Sequence, residues 1–229
     1  MSVIVTGAAR GIGRAVAERF SADRPVILAD LDPAVHDVAR ELGGIGVVAD
    51  VTSAEGRAAI LAAVEGDITL LVNNAGITKD ARIVKMTEEQ FLAVIRVNLG
   101  AAYELTTAAI GRFADGANVV SLASRAYLGN FGQFNYSASK GGLVGMTRAL
   151  ALQLAPRVRV NAIAPSLTAS EMTSAMPENV LNKMIATIPL GRMAEPREIA
   201  ETIATLASPA MAYVTGQVVV ACGGRSLAP

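Results

Sequence analysis

Tyr136 and Lys140 stand four residues apart in the run Tyr136-Ser137-Ala138-Ser139-Lys140. On a helix that spacing puts them on one face, with the ammonium beside the phenol. A free phenol titrates at about 10, too high for a base at neutral pH, and a neighbouring positive charge favours the phenolate by about 1.4 kcal/mol per unit of depression. Such a pair can move a proton to or from an oxygen. Ser124 follows an apolar run and offers a hydroxyl that can donate to the same oxygen, while Asn98 lies within a helical pattern. Taken singly, Ser124 is equally a strand-end turn residue and Asn98 a satisfied polar group on a helix.

A second constellation lies at the start of the chain. Thr6-Gly7-Ala8-Ala9-Arg10-Gly11-Ile12-Gly13 follows an apolar strand and opens a helical pattern. There glycines let the backbone turn tightly and approach a pyrophosphate, whose charge meets free N–H groups and the positive helix end. A glycine-rich turn can also be only a turn. Asp30 strengthens the nucleotide reading, because it ends the second apolar run 17 residues after Gly13, where a carboxylate accepts hydrogen bonds from the adenosine ribose hydroxyls and repels a 2′-phosphate. Asp30 as a cap for the next helix is the competing reading, but Asp32 before Pro33 is better placed for that. Asp50-Val51 ends the third run and is a candidate for the adenine edge, with Thr52 or Ser53 as a plain helix cap as the alternative.

These residues need elements to position them. Short apolar, mostly β-branched runs alternate with helical patterns, the signature of βαβ units and a parallel sheet covered on both faces. The runs are Ser2 to Thr6, Val26 to Asp30, Ile45 to Ala49, Ile68 to Asn73, Asn118 to Ala123, Val158 to Ile163 and Gln217 to Ala221. Between them Ile12, Val16 and Phe20 mark one helix face, and Leu143, Met146, Leu150 and Leu154 another. The expected fold class is α/β, a doubly wound Rossmann-type parallel sheet of about seven strands, read as one dinucleotide-binding and catalytic domain over residues 1–229. The segment from Pro165 to Pro196, with Ser166, Thr168, Ser170, Met172, Met176 and Met184, breaks the alternation and is expected to form a lid over a ligand, a surface connection being the alternative.

Composition narrows the classes of function. Twenty Lys+Arg balance twenty Asp+Glu, so no overall field draws in nucleic acid or an anionic membrane, and a small-molecule partner is expected. Cys222 is the single cysteine and His36 the single histidine. An internal disulfide, a thiolate zinc site and chemistry centred on histidine all recede, and no metal is expected. Cys222 reads as a small core residue. With Val3-Ile4-Val5 almost at once after Met1 and no apolar stretch of about 18 residues, the chain reads as cytoplasmic.

Thr-Gly-x-x-x-Gly-x-Gly at Thr6 to Gly13, Asn73-Asn74-Ala75-Gly76 and Tyr136-x-x-x-Lys140 together resemble the short-chain dehydrogenase/reductase family across essentially the whole chain. The resemblance implies a tetrad of Asn98, Ser124, Tyr136 and Lys140. In it Tyr136 is the acid/base, Lys140 also holds the nicotinamide ribose, and Asn98 supports a proton-relaying water. It further implies cofactor contacts from Gly7, Arg10, Gly11, Ile12, Gly13, Asp30, Asp50, Val51, Asn74, Ala75, Gly76, Pro165, Leu167 and Ser170, and a homodimer or homotetramer built partly through the helix bearing Ser139, Gly142, Gly145 and Ala149. Two departures stand out. The family's serine most often precedes its tyrosine by thirteen positions, which here is Ala123, so Ser124 implies a loop shortened by one residue, with Ser121 inside the strand a poorer candidate. Ser166 follows Pro165 where relatives usually carry glycine.

Asn73 to Met86, Ile188 to Arg192 and Tyr213 to Gln217 look like the 3-oxoacyl-carrier-protein and acetoacetyl-CoA reductases. A 3-oxoacyl thioester is therefore the first expected substrate, with a non-thioester secondary alcohol or cyclic ketone as the alternative and a non-catalytic dinucleotide sensor more distant. Those reductases typically use NADPH, whereas Asp30 points to NAD(H); Arg10 is the counter-signal, since a basic residue there can meet a 2′-phosphate. Arg112 is the one basic residue at the helix end Ile110 to Asp115 where relatives often cluster several.

Overall fold

The computed structural model describes residues 1–170, 173 and 176–227. Met172 of the expected lid lies outside them. Seven strands, β1 (Ser2–Thr6), β2 (Val26–Asp30), β3 (Ile45–Val48), β4 (Ile68–Asn73), β5 (Phe113–Leu122), β6 (Val158–Pro165) and β7 (Val218–Ala221), form one sheet in the order β3-β2-β1-β4-β5-β6-β7. Every pairing is parallel.

The apolar runs are continuous because both faces are covered. Val3, Val5, Leu28, Leu70, Val72 and Ile163 pack against α1 (Gly11–Ser21), α2 (Val35–Leu42) and α8 (Pro196–Ala207). Ile4, Ile27, Leu71, Val119 and Val160 turn the other way, against α3 (Ala54–Ala62), α5 (Ala101–Ala109) and α6 (Phe134–Leu154). Val16 and Phe20 of α1 and Leu143 and Leu150 of α6 are buried, as their helical spacing requires. The remaining helices are α4 (Glu88–Ile95) and α7 (Glu178–Ile185).

β5 departs most from the sequence pattern. β5 begins at Phe113, five residues before the expected Asn118, because the ladder with β4 shifts register between Phe113↔Ile68 and Asn118↔Leu70. Ala114-Asp115-Gly116-Ala117 is the irregular stretch, and its Asp-Gly pair reads as a turn. β3 ends at Val48, so Asp50 lies beyond the strand, although the Ala49 N–H still donates to the Asp30 carbonyl at 2.8 Å.

The strand order reverses between β1 and β4. At such a switch point the loops leave the sheet in opposite directions and open a crevice at the carboxyl ends of the strands.

Candidate active site

The crevice floor is the turn after β1. Gly7 and Gly11 have φ of +65° and +58°, a region L side chains rarely adopt. At Gly13 a Cβ would lie 2.0 Å from the Gly7 carbonyl oxygen, so α1 starts as close to the strand end as its backbone permits. The helix is preceded by Arg10 in extended conformation, with no side chain capping it and no acid in its first turn. Its N–H groups are thus left to an outside acceptor, a cradle suited to a pyrophosphate.

The loop after β4 is locked onto this turn. Asn74 Nδ2 donates to the carbonyls of Thr6 at 2.8 Å and Gly7 at 2.9 Å. The Thr6 hydroxyl oxygen accepts from the N–H groups of Asn74 and Ala75, both at 3.0 Å. Sequence reading named Asn74 and Ala75 but passed over Thr6, although a hydroxyl at the last residue of a strand was the available signal.

Asp30 spans the crevice end. It accepts from the Ala9 N–H at 2.9 Å and the Asp32 N–H at 3.0 Å, so its carboxylate holds the glycine turn as well as the turn after β2. Arg10 pairs with Asp32 at 3.2 Å on the surface. Asp32 also accepts from the Ala34 N–H at 3.0 Å ahead of α2. Asp50 accepts from the N–H and hydroxyl of Thr52 at 2.8 and 2.7 Å, and these hydrogen bonds lower its carboxyl below its usual range. Val51 is buried. Ser53 caps α3 by accepting from the Gly56 N–H at 2.9 Å, the plain capping role weighed for it.

Tyr136 and Lys140 lie in the first and second turns of α6. Asn135, fully buried, donates to the carbonyls of Lys79 and Gln90 and accepts from the Tyr136 N–H, which fixes where the helix begins. This positioning residue was invisible to the motif. The Lys140 ammonium lies 5.5 Å from the centre of the Tyr136 ring and donates to the Leu122 carbonyl at 2.5 Å. Ser124, in extended conformation just past β5, accepts from the Ala126 N–H at 3.2 Å, and its hydroxyl stands beside the Tyr136 phenol. Ala123 is packed in the core, and Ser121 is fully buried within β5 near Asn73.

Electrostatics differ from the expectation that Lys140 pulls the phenol down. Burial raises the Tyr136 phenol above its ordinary value; the Ser124 hydroxyl opposes the rise and the Asp80 carboxylate adds to it. Lys140 is itself buried, and burial brings its ammonium from 10.5 to about 8. For the phenol, as for the ammonium, loss of solvent around the charged form is the dominant effect.

Asn98 sits in a π-turn at Arg96–Gly100 between α4 and α5. Its side chain accepts from the Ile77 N–H at 2.8 Å and donates to the Ile77 carbonyl at 3.0 Å and the Ser139 hydroxyl at 3.1 Å. A Cβ on Gly76 would meet Asn98 Oδ1 at 3.2 Å and Lys140 Nζ at 3.6 Å, so the absent side chain is what lets these groups approach. The helical pattern shows no π-turn, since the extra residue leaves the apolar spacing readable as α-helix.

The remaining expected contacts lie along the carboxyl end of β6. Pro165 closes that strand, Leu167 is buried, and the Ser170 hydroxyl accepts from the Thr173 N–H at 3.2 Å. Of the small residues on α6, Ser139 and Gly142 face the chain's own interior, where a Cβ on Gly142 would strike Leu99 at 2.5 Å, while Gly145 and Ala149 are exposed. Arg112 is consumed by the backbone, donating to the carbonyls of Leu61, Val64 and Gly66. Cys222 is buried in the turn after β7.

Comparison with known proteins agrees with this geometry. The family described as Enoyl-(Acyl carrier protein) reductase matches residues 7–226. The chain is 39% identical to the 3-oxoacyl-[acyl-carrier-protein] reductase FabG of Thermotoga maritima, with 96% of each chain covered. It is 36% identical to the protein of that name from Vibrio cholerae, covering 96% of this chain and 95% of the relative. A solved short-chain dehydrogenase/reductase from Brucella melitensis, titled glucose/ribitol dehydrogenase, superposes with a TM-score of 0.92 at 35% identity over 98% of this chain and 96% of its own. With its crevice at the β1/β4 switch point and its Tyr136-to-Lys140 helix, the chain belongs to the short-chain dehydrogenase/reductase family, as an oxidoreductase acting on CH–OH groups with a nicotinamide dinucleotide.

Proposed function

We propose that this chain interconverts a ketone and a secondary alcohol with NAD(H), that 3-oxoacyl thioesters are its first substrate class, and that Tyr136 is the acid/base. The observation that carries this reading is the Tyr136 side chain with the Ser124 hydroxyl beside its phenol and the Lys140 ammonium 5.5 Å from its ring centre. The dinucleotide, when bound, supplies or accepts the hydride. Backbone N–H groups of Gly11, Ile12 and Gly13 would meet its pyrophosphate, Asp30 the adenosine ribose, Asp50 and Val51 the adenine, and Asn74 to Gly76, Pro165, Leu167 and Ser170 the nicotinamide half.

In the reduction direction the substrate oxygen needs a proton. Burial keeps the Tyr136 phenol protonated across the neutral range, the form that donates. Ser124 donates a hydrogen bond to the same oxygen and holds it there. Lys140, brought to about 8, is close enough to neutrality to restore the phenol's proton. Asn98, by holding the Ile77 backbone and Ser139, keeps the floor beneath Lys140 in place.

Two features favour NAD(H) over NADP(H). Asp30 and Asp32 put two carboxylates at the end of β2, and Arg10, the group that could meet a 2′-phosphate, pairs with Asp32. With Arg112 engaged by carbonyls, this face also offers an acidic carrier protein little charge, which favours small thioesters over carrier-bound ones. We further read the chain as one catalytic unit covered by residues 165–196, assembling as a homodimer or homotetramer and working in the cytoplasm. Among the described residues no helix is long and apolar enough to cross a membrane, and α6 leaves Gly145, Ala149 and an 84% exposed Leu152 outward for a second copy.

The test is a panel of 3-oxoacyl thioesters, 2-enoyl thioesters, cyclic ketones and simple secondary alcohols, each assayed with NADH/NAD⁺ and NADPH/NADP⁺. Reduction of a 3-oxo group with higher kcat/KM for NADH is expected. Turnover of the enoyl thioester alone, or a preference for NADPH, would overturn the corresponding part.

A further inference from the structure

Beside Ser124, on the side away from the glycine turn, two arginines come together with no carboxylate paired to either among the described residues. Arg125 opens the short helical turn after β5, and Arg225 lies in the turn after β7. Both are half-buried. Arg125 Nε is shut off from solvent with no hydrogen-bond partner among the described residues. Arg225 makes one long contact, from Nη1 to the Ser166 hydroxyl at 3.5 Å. The two guanidiniums are near enough that the Arg125 charge adds to the burial that lowers Arg225. Facing them is the thiol of Cys222, whose sulfur accepts from the Ser226 N–H at 3.4 Å. No Asp or Glu among the described residues forms an ion pair with either arginine.

The other half-buried arginines are spent on the chain itself. Arg14 and Arg57 hold carboxylates, and Arg112 and Arg159 donate to carbonyls. A guanidinium carries five donors in a fixed fork, and a buried one left unpaired, as Arg125 Nε is among the described residues, is costly unless an acceptor arrives from outside. Two such forks converging on one place match the planar, two-oxygen face of a carboxylate or a phosphate oxyanion. The location joins this site to the reaction: Arg125 is covalently next to Ser124, and Ser166, the contact of Arg225, follows Pro165 at the end of β6.

We propose that Arg125 and Arg225 form an oxyanion subsite that selects substrates carrying a carboxylate or phosphate beyond the reacting carbonyl. This rests on the ketone-reductase reading given above and narrows its substrate class. The subsite binds the anionic end of the substrate and so orients its oxygen toward Ser124 and Tyr136. Neither arginine exchanges a proton with the substrate, so the effect falls on KM for anionic substrates rather than on kcat for all substrates.

The experiment uses two matched pairs of ketones with the whole chain: acetoacetate against ethyl acetoacetate for a carboxylate, and acetoacetyl-CoA against acetoacetyl-N-acetylcysteamine for phosphate. In R125Q and R225Q, KM for at least one anionic member is expected to rise about tenfold or more, the size of a lost charge-assisted hydrogen bond, while its neutral partner changes by less than about threefold. The pair that responds identifies the anion. R125K, which keeps the charge, is expected to recover part of the loss. Wild-type protein gives an independent readout, because added sulfate should raise KM for the responding anionic substrate and leave its neutral partner alone. Equal loss on both members of both pairs, or no sulfate effect on either anionic substrate, overturns the subsite while leaving the reductase reading intact. If no ketone is reduced with either cofactor, the reductase reading fails; sulfate or acetoacetate binding by calorimetry that is weakened in R125Q would still uphold the subsite, and binding that is unweakened would overturn it.

Discussion

The glycine turn between β1 and β4 and the arginine pair between β5 and β7 are two ways of leaving hydrogen-bonding capacity for a ligand. At the turn the side chains brace the chain itself: Asn74 holds two carbonyls, Thr6 two N–H groups and Asp30 two more. What is left for a pyrophosphate is backbone N–H at the start of α1. At the arginine pair it is side-chain donors that are left over among the described residues. A ligand part common to a whole family can be read by backbone, which is set by where glycine permits close approach. A part that differs between relatives needs side chains, which can change one at a time without disturbing the sheet.

The largest effect that would separate these two halves is chemical. Tyr136→Phe keeps the ring and its burial and removes the one proton-exchanging group, so kcat is expected to fall by at least about 10² to 10⁴ while NADH affinity measured by fluorescence titration stays nearly constant. If affinity falls in step with turnover, Tyr136 is part of the cofactor cradle and the division is wrong. Gly13→Ala should do the reverse. Its Cβ would lie 2.0 Å from the Gly7 oxygen, so the turn must open. The expected results are weaker NADH binding and a loss of stability of about 1–3 kcal/mol by denaturant unfolding. Unchanged affinity would show that the close approach of helix and strand is not what forms the cradle.

Lys140 supplies a test in pH. Its folded-state value of about 8 lies below the ordinary 10.5, so between those values the unfolded chain binds more protons than the folded one. Stability contributed by this group therefore rises with pH across that window. Up to about pH 10, before the raised Tyr136 phenol adds an opposing slope, wild type should gain stability relative to Lys140→Met in thermal melts. Parallel curves would mean that Lys140 is not desolvated as described. The smallest effect is expected at Gly145, which is exposed on α6 with open space around the Cβ position. In the isolated chain Gly145→Ala should stabilise by about 0.5–1 kcal/mol through helix propensity. If this face instead meets a second copy, the same change should shift the assembly in light scattering.

How far the sequence carried depended on what each residue answers to. β1, β2 and β4 were legible to the residue because strands buried on both faces read as unbroken apolar runs. The start of β5 was not, because Asp115-Gly116 has the chemistry of a turn and only pairing with β4 keeps it in the sheet. Tyr136 and Lys140 were legible as a helical pair, and their environment was not. The raised phenol and the lowered ammonium both come from burial, to which spacing is blind. Asn98 was found by family likeness, while the π-turn that aims it and the Ser139 hydroxyl that it reaches are tertiary facts. The arginine pair brings together residues 100 positions apart, a juxtaposition made by the β5-β6-β7 order and by no local pattern.

The lock between Thr6 and Asn74 also has a meaning in time. Its hydrogen bonds join residues 68 positions apart, and three helices and three strands lie in the chain between them. Contacts of that separation must have their loop-closure entropy paid before they return stability. The cradle thus comes into being only after β1 and β4 have paired, and a partly folded chain offers the dinucleotide no foothold. Binding then draws the equilibrium toward the finished sheet, adding about 2.7 kcal/mol when the cofactor is present at a hundred times its dissociation constant. In a cell the abundance of dinucleotide becomes a determinant of how much of this protein survives.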